Sequence, residues 1–332
     1  MGEKNYYFSL DLFRGFCGYG VAISHFFAFT YDNTYMEYVS LIFPEFFFLL
    51  SGFVLYPQLV KILGKKNNLF IFYKRRWLRT LPLFIVVVIL VSALTNNLFS
   101  TDFYKYFFLI QKTFPDFLNT DYYPVAWSLS IEEFFYLLFP LILIFNNHLN
   151  FIRNVILIFL FIMFIKIFIA DLVDANFYRT GTFLRFDAIL LGFILAHYKN
   201  NILYYKKTLL IFFLALSSIF LLSYDFFVLG QDQAIKKFLF IILIQSISAL
   251  IMFNFLLLEP ILNNHKVKKY SLLISQQTYS IYLIHMIFIY IFKEININII
   301  FSCVLYILLL FFSSSLIYKH FEDPILKLRP KL

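Results

Sequence analysis

Charged residues are scarce in this chain: Asp, Glu, Lys and Arg make up 14% of its 332 residues, while 61% are hydrophobic. With a mean hydropathy of +0.79, that balance excludes an ordinary water-soluble domain, in which about 25% of residues are charged. Cysteine is nearly absent. Cys17 and Cys303 both fall in apolar runs, which reads as packing and argues against a disulfide framework. Also missing are a Gly/Ser or Pro-rich linker, a repeat of about 20–50 residues and a polar domain at either end. The first apolar run is too long for a removable signal peptide and lacks a small-residue cleavage pattern, so it should remain as a span. The chain therefore reads as one domain over 1–332, with any chemistry left to membrane helices and their loops.

Apolar runs of about 20 residues recur along the whole length, which predicts spanning helices, because barrel strands would give alternating segments of about 10 residues. Ten spans are expected, near 8–30, 40–62, 77–95, 129–146, 153–171, 183–199, 208–226, 237–258, 271–292 and 297–318. The fold class is thus an all-α integral membrane bundle. The net charge of +9 is not a nucleic-acid footprint. With the N-terminus inside, most of the 28 Lys and Arg residues fall on the cytoplasmic side, above all Lys61, Lys65, Lys66, Lys74, Arg75, Arg76 and Arg79, which puts both termini in the cytoplasm and lipid around the rest. The stretch from Asn96 to Trp127 is too mixed to span and is expected at the outer interface or re-entering the bundle.

A charge at the centre of a span costs about 2.5–3.5 kcal/mol on insertion scales, so ionisable residues inside spans mark a polar interior. Arg14 and His25 stand three turns and about 20° apart on one helix face, about 16 Å apart in depth. Asp11 is placed to pair with Arg14; a snorkelling pair and a hydrogen-bonded histidine would be the bland account. Arg76 and Arg79 share a face and, with Arg75, suit phosphate arriving from the cytoplasm, although a stop-transfer cluster on anionic lipid explains much of the basic run. The outer half should hold His25, Glu45, Glu132, Glu133, Arg185, Asp187 and His285. Glu133 and Tyr136 share a face, and a carboxylate there can orient an imidazole or accept a substrate hydroxyl. Arg185 and Asp187, two residues apart, should not face each other, and His285 reads as a hydrogen-bonding residue. A basic inner mouth below an outer imidazole and carboxylate suits a donor loaded inside and an acceptor modified outside, or else a transporter or flippase for a glycan or acylated metabolite.

At these residues the chain resembles the family-3 membrane acyltransferases, which include bacterial O-acetyltransferases of lipopolysaccharide, O-antigen and peptidoglycan. The likeness rests on "LDLFRGFCGYGVAISH" with Arg14 and His25, "FPEFFFLLSGFVL", "RWLR" with Arg76 and Arg79, and "WSLSIEEFFYLLFP" with Trp127, Ser130, Glu132, Glu133 and Tyr136. "LRFDAILLGFILA", "TYSIYLIH" and "FEDP" follow in order. The resemblance implies a ten-helix domain in the bacterial cytoplasmic membrane that moves an acyl group, usually acetyl, from cytoplasmic acyl-coenzyme A to a sugar hydroxyl on a glycan or glycolipid outside. It implies that Arg14 and His25 are essential and that Arg76 and Arg79 help bind the donor. On this reading His25 is general base, Glu133 orients it or the acceptor, and Asp11, Glu132, Tyr136, Ser130, Trp127, Arg185, Asp187 and His285 line the substrate path, with Ser130 and Tyr136 as oxyanion donors and no metal required. Without a fused esterase-like domain, the membrane domain is expected to deliver the acyl group itself, which disfavours peptidoglycan as acceptor.

Overall fold

The computed structural model describes residues 6–61, 67–143, 150–229, 232–262, 264–295 and 298–330; Lys65 and Lys66 of the basic connection lie outside them. Among the described residues every regular element is helical. Ten longer helices coincide with the ten expected spans: α1 Phe8–Thr30, α2 Phe43–Val60, α3 Asn67–Leu94, α4 Trp127–Leu143, α5 Phe151–Ile169, α6 Phe186–His197, α7 Lys206–Leu222, α8 Ala234–Leu257, α9 His265–Lys293 and α10 Ile299–Ile317. Seven of the ten, with their helical extensions, are long and apolar enough to cross a membrane. The other three are shorter, α4 and α7 at 17 residues and α6 at 12. In α6 the reason is local, because a 3-10 turn at Phe183–Arg185 precedes the helix and splits the expected span. The chain is an all-helical, polytopic membrane protein.

The stretch expected at the outer interface has its own fold. Ser100 caps a short helix, Thr101–Phe107, by accepting the Phe103 N–H at 3.0 Å. Asp102 then latches the following loop, accepting Lys105 Nζ at 2.9 Å and the backbone N–H groups of Asn119 at 3.1 Å and Thr120 at 2.8 Å. Burial alone would raise the Asp102 carboxyl, but these donors hold it below the usual carboxylate range. Its contribution is therefore complete at neutral pH and lost as pH falls through that depressed value. Tyr122, Tyr123, Val125 and Ala126 are buried, while Phe99, Phe108 and Phe114 stay exposed.

The helices form two compact units, Met1–Ser51 with Tyr198–Gly230 and Leu239–Ser315, and Gly52–His197 with Gln231–Phe238 and Leu316–Leu332. In the first, α1 and α9 approach closely at small residues. A Cβ at Gly15 would stand 2.2 Å from Ile274 Cγ2, and one at Gly18 would stand 2.7 Å from Thr278 Cγ2. These pairs climb both helices together, so α1 and α9 run parallel. Tyr306 on α10 closes the other side, its hydroxyl donating to Ala22 O at 3.0 Å and its ring stacking on Phe26 at 4.5 Å.

The second unit has a comparable approach between α2 and α6. A Cβ at Gly52 would lie 2.0 Å from Ile189 O and 3.0 Å from Gly192 Cα. Both nearest atoms are backbone, so a methyl group there must move a helix. Gly52→Ala is expected to destabilise by about 1–3 kcal/mol through overpacking, read as a lower thermal midpoint of the detergent-purified protein; an unchanged midpoint would show that α2 and α6 are not this close.

Candidate active site

In the first unit, the close packing of α1 on α9 carries His25 to His285. His25 Nδ1 lies 3.0 Å from His285 Nε2, and His285 Nδ1 lies 2.6 Å from Tyr282 O. A carbonyl can only accept, so His285 Nδ1 carries the proton. With both rings neutral, His285 Nε2 is then an acceptor, His25 Nδ1 donates to it, and His25 Nε2 is left with a lone pair. This is the tautomer a general base needs. His285 is fully buried, and His25 is half-buried. His285, expected from sequence to be a hydrogen-bonding residue, is one, and its partner is the His25 ring.

Arg14 faces the same helix three turns below. Its Nη1 reaches Asp11 Oδ1 at 3.3 Å and Ser275 Oγ at 3.1 Å. Asp11 also accepts from Ser275 Oγ at 2.8 Å and from the Tyr6 hydroxyl. Asp11 therefore pairs with Arg14, as their spacing predicts. The shared face of Arg14 and His25, expected from their spacing, is the one that meets α9.

The second unit gathers the basic and acidic motifs. Arg76 Nη2 donates to Gln58 Oε1 at 2.9 Å, and its guanidinium lies 5.3 Å over the Tyr136 ring and 5.6 Å over Phe72. One turn further along α3, Thr80 Oγ1 donates to Glu133 Oε1 at 2.5 Å. The expected separation of these arginines and carboxylates into opposite halves of the bilayer therefore does not hold at Arg76. The helix α3 begins at Asn67, so Arg76 sits about 13 Å inside it, and the segment before α4 is itself buried. Tyr136 hydrogen-bonds Glu132 at 3.1 Å, one turn back, so its hydroxyl has a partner and its ring serves as a platform for Arg76. Ser130 Oγ and Glu133 Oε2 are buried with no hydrogen-bond partner among the described residues.

Three further expected site residues are engaged by other side chains. Arg185 and Asp187 do meet, at 3.4 Å, because Arg185 lies in the 3-10 turn rather than in a continuous helix. Lys166 completes a fully buried triad, its Nζ 2.5 Å from Asp187 Oδ2. Trp127 lies under the Arg179 guanidinium at 5.2 Å. Among the described residues no group of three or more His, Cys, Asp or Glu side chains is placed to hold a metal ion.

A family profile described as an acyltransferase domain matches residues 7–318. The chain belongs to the family-3 acyltransferases. This family-3 acyltransferase is similar to the O-acetyltransferase OatA of Staphylococcus aureus, 29% identical over 325 residues that cover 86% of this chain and 51% of OatA. It thus spans about half the length of that relative. A protein of Haemophilus influenzae described as uncharacterized is 32% identical over 184 residues, 47% of this chain and 74% of that protein. No solved structure matches. Membership makes the chain an enzyme, and the transporter reading of its charges falls away.

Sequence reasoning missed Ser275, Thr80 and Gln58 as partners of Arg14, Glu133 and Arg76, because lone hydroxyls and amides in apolar helices carry no pattern. It also did not pair His285 with His25, the contact that the structure shows. His285→Ala is expected to lower kcat by about 10–100-fold, since acid–base catalysis as a whole is worth about 10²–10⁴, with KM for the donor nearly unchanged. His285→Gln, whose amide oxygen can accept from His25 Nδ1, should restore part of the loss. Full kcat in the alanine variant would remove the positioning role.

Proposed function

We propose that this acyltransferase moves an acyl group, acetyl in the first instance, from cytoplasmic acyl-coenzyme A to a sugar hydroxyl of a cell-surface or lipid-linked glycan of the lipopolysaccharide or O-antigen kind. Its place is the bacterial cytoplasmic membrane, with both termini inside. The observation that carries the chemistry is the His25–His285 hydrogen bond, which presents an unprotonated Nε2 inside a membrane helix bundle. Acetyl is supported by the similarity to an O-acetyltransferase, and the sidedness by the positive-inside distribution of Lys and Arg.

In the proposed reaction His25 Nε2 takes the proton of the acceptor hydroxyl as its oxygen attacks the thioester carbonyl. The tetrahedral intermediate collapses, the C–S bond breaks, and coenzyme A departs as the thiol with the proton returned from His25. His285 holds the base in orientation throughout. Arg14, fixed by Asp11 and Ser275, supplies a stationary cation for the donor or for developing negative charge. Arg76 and Arg79 are assigned to the donor phosphates, a role that forked guanidinium groups suit. Ser130 and Glu133, with buried polar atoms lacking hydrogen-bond partners among the described residues, are assigned to substrate contact, since an unsatisfied buried group costs about 1–3 kcal/mol.

The test is mass spectrometry of surface glycolipids from cells lacking the gene, complemented with the intact gene or with His25→Ala at matched membrane abundance. One acyl mass should vanish in the deletion, return with the intact gene and stay absent with His25→Ala, whose rate should fall by about 10²–10⁴. Full restoration by His25→Ala would remove the general base. An unchanged acyl mass in the deletion would remove the glycan as acceptor.

A further inference from the structure

The segment that follows α10 brings a fourth arginine to the basic cluster from the far end of the sequence. After α10 a π turn, Tyr318–Glu322, leads into a short helix, Asp323–Lys327, with Pro324 in its first turn. Residues 329 and 330 then clasp Arg75 reciprocally. Arg75 Nη1 donates to Pro330 O at 2.6 Å, and Arg329 Nε donates to Arg75 O at 3.1 Å. Burial, followed by the charges of Arg79, Arg76 and Arg75, pushes the Arg329 guanidinium down to about 10. Among the described residues none of these four arginines forms an ion pair with a carboxylate.

Four guanidinium groups held this way repel one another, and the charges of Glu132 and Glu133, which act on Arg76 without forming an ion pair with it among the described residues, offset this only in part. The only hydrogen bond of Arg329 among the described residues uses Nε, so its two terminal amino groups remain available as a fork. Those of Arg79 have no hydrogen-bond partner among the described residues. Arg75, by contrast, spends its guanidinium on a main-chain carbonyl. A multiply charged phosphate group is the chemistry that both relieves the repulsion and uses the open forks.

We propose that Arg329 is a phosphate-binding residue for the acyl-coenzyme A donor, acting with Arg76 and Arg79, and that Arg75 is the tether that places it. The proposal rests on assigning this cluster to the donor. An acidic lipid headgroup has the same chemistry, and the experiment separates the two sources.

Full-length protein in nanodiscs of phosphatidylcholine is titrated with coenzyme A and with pantetheine, which lacks the phosphates, for wild type, Arg329→Ala, Arg329→Lys, Arg75→Ala and Arg76→Ala. Losing a charge-assisted contact of about 1.5–3 kcal/mol predicts a rise of about 10–100-fold in the Kd for coenzyme A with Arg329→Ala. The same variant should raise KM for acetyl-coenzyme A more than it changes kcat. Arg329→Lys, which keeps charge but loses the fork, should fall between. Arg75→Ala should mimic Arg329→Ala, and the double variant should be less than additive. Pantetheine binding should not change. If Arg76→Ala weakens coenzyme A binding and Arg329→Ala does not, the role of Arg329 is wrong and the donor site stands. If neither does, the assignment of the cluster to the donor fails. If Arg329→Ala alters only retention on phosphatidylglycerol vesicles, the anion is a lipid headgroup and the proposal is overturned.

Discussion

The hydrogen bond from His25 to His285 depends on how near one helix can come to another. A side chain wider than hydrogen at Gly15 or Gly18 would run into Ile274 or Thr278, so these two positions set the spacing of α1 and α9 below the imidazole pair. Parallel direction then matters as much as distance. Because both helices rise together, Arg14 meets Ser275 at one level and His25 meets His285 three turns higher. Close packing, an anchored arginine and a hydrogen-bonded imidazole pair are thus consequences of one interface. Pairing one neutral ring with another avoids the cost of holding a charge in an apolar setting.

The polar residues of the two units divide by whether their partners are complete. Asp187 meets both Lys166 and Arg185 inside the second unit, all three with side chains fully buried. Removing one member would leave an uncompensated buried charge, so the triad is a strong structural constraint and weak evidence for chemistry. Asp102 has the same character, with four donors converging on its carboxylate. Glu133 differs, since one oxygen is held by Thr80 and the other is buried without a hydrogen-bond partner among the described residues. The arginine cluster differs again, having like charges together and, among the described residues, no carboxylate in an ion pair with them. Incomplete pairing in a well-packed region is the physical trait that separates candidate chemistry from scaffold here.

Most of the helices were legible in the sequence because hydrocarbon leaves the backbone few alternatives, and apolar runs of spanning length must be helical. The Arg14 and His25 face was legible for the same reason, since three turns of regular helix carry one residue above another. What stayed hidden depended on breaks in regularity. The 3-10 turn before α6 lets Arg185 reach Asp187, a pairing that continuous helical spacing forbids. The burial of the segment before α4 places Glu133 beside Thr80, where depth counted from an assumed membrane surface set them apart. His285 was visible as an intramembrane histidine, but its tautomer follows from a hydrogen bond to Tyr282 O that no residue pattern encodes.

The "FEDP" element shows how a motif can act through geometry rather than contact with substrate. Glu322 is buried and closes the π turn, Pro324 starts the next helix, and Asp323 pairs with Lys327 at 2.6 Å. A π turn shifts the helical register, and proline in a first turn restarts a helix without losing a needed N–H. The chain after α10 is thereby redirected, and Arg329 and Pro330 arrive at Arg75 on α3, some 250 positions earlier in the sequence. A surface lysine-rich tail would lie along anionic lipid with no fixed partner. Two reciprocal bonds to one arginine instead hold this segment in a single register against α3.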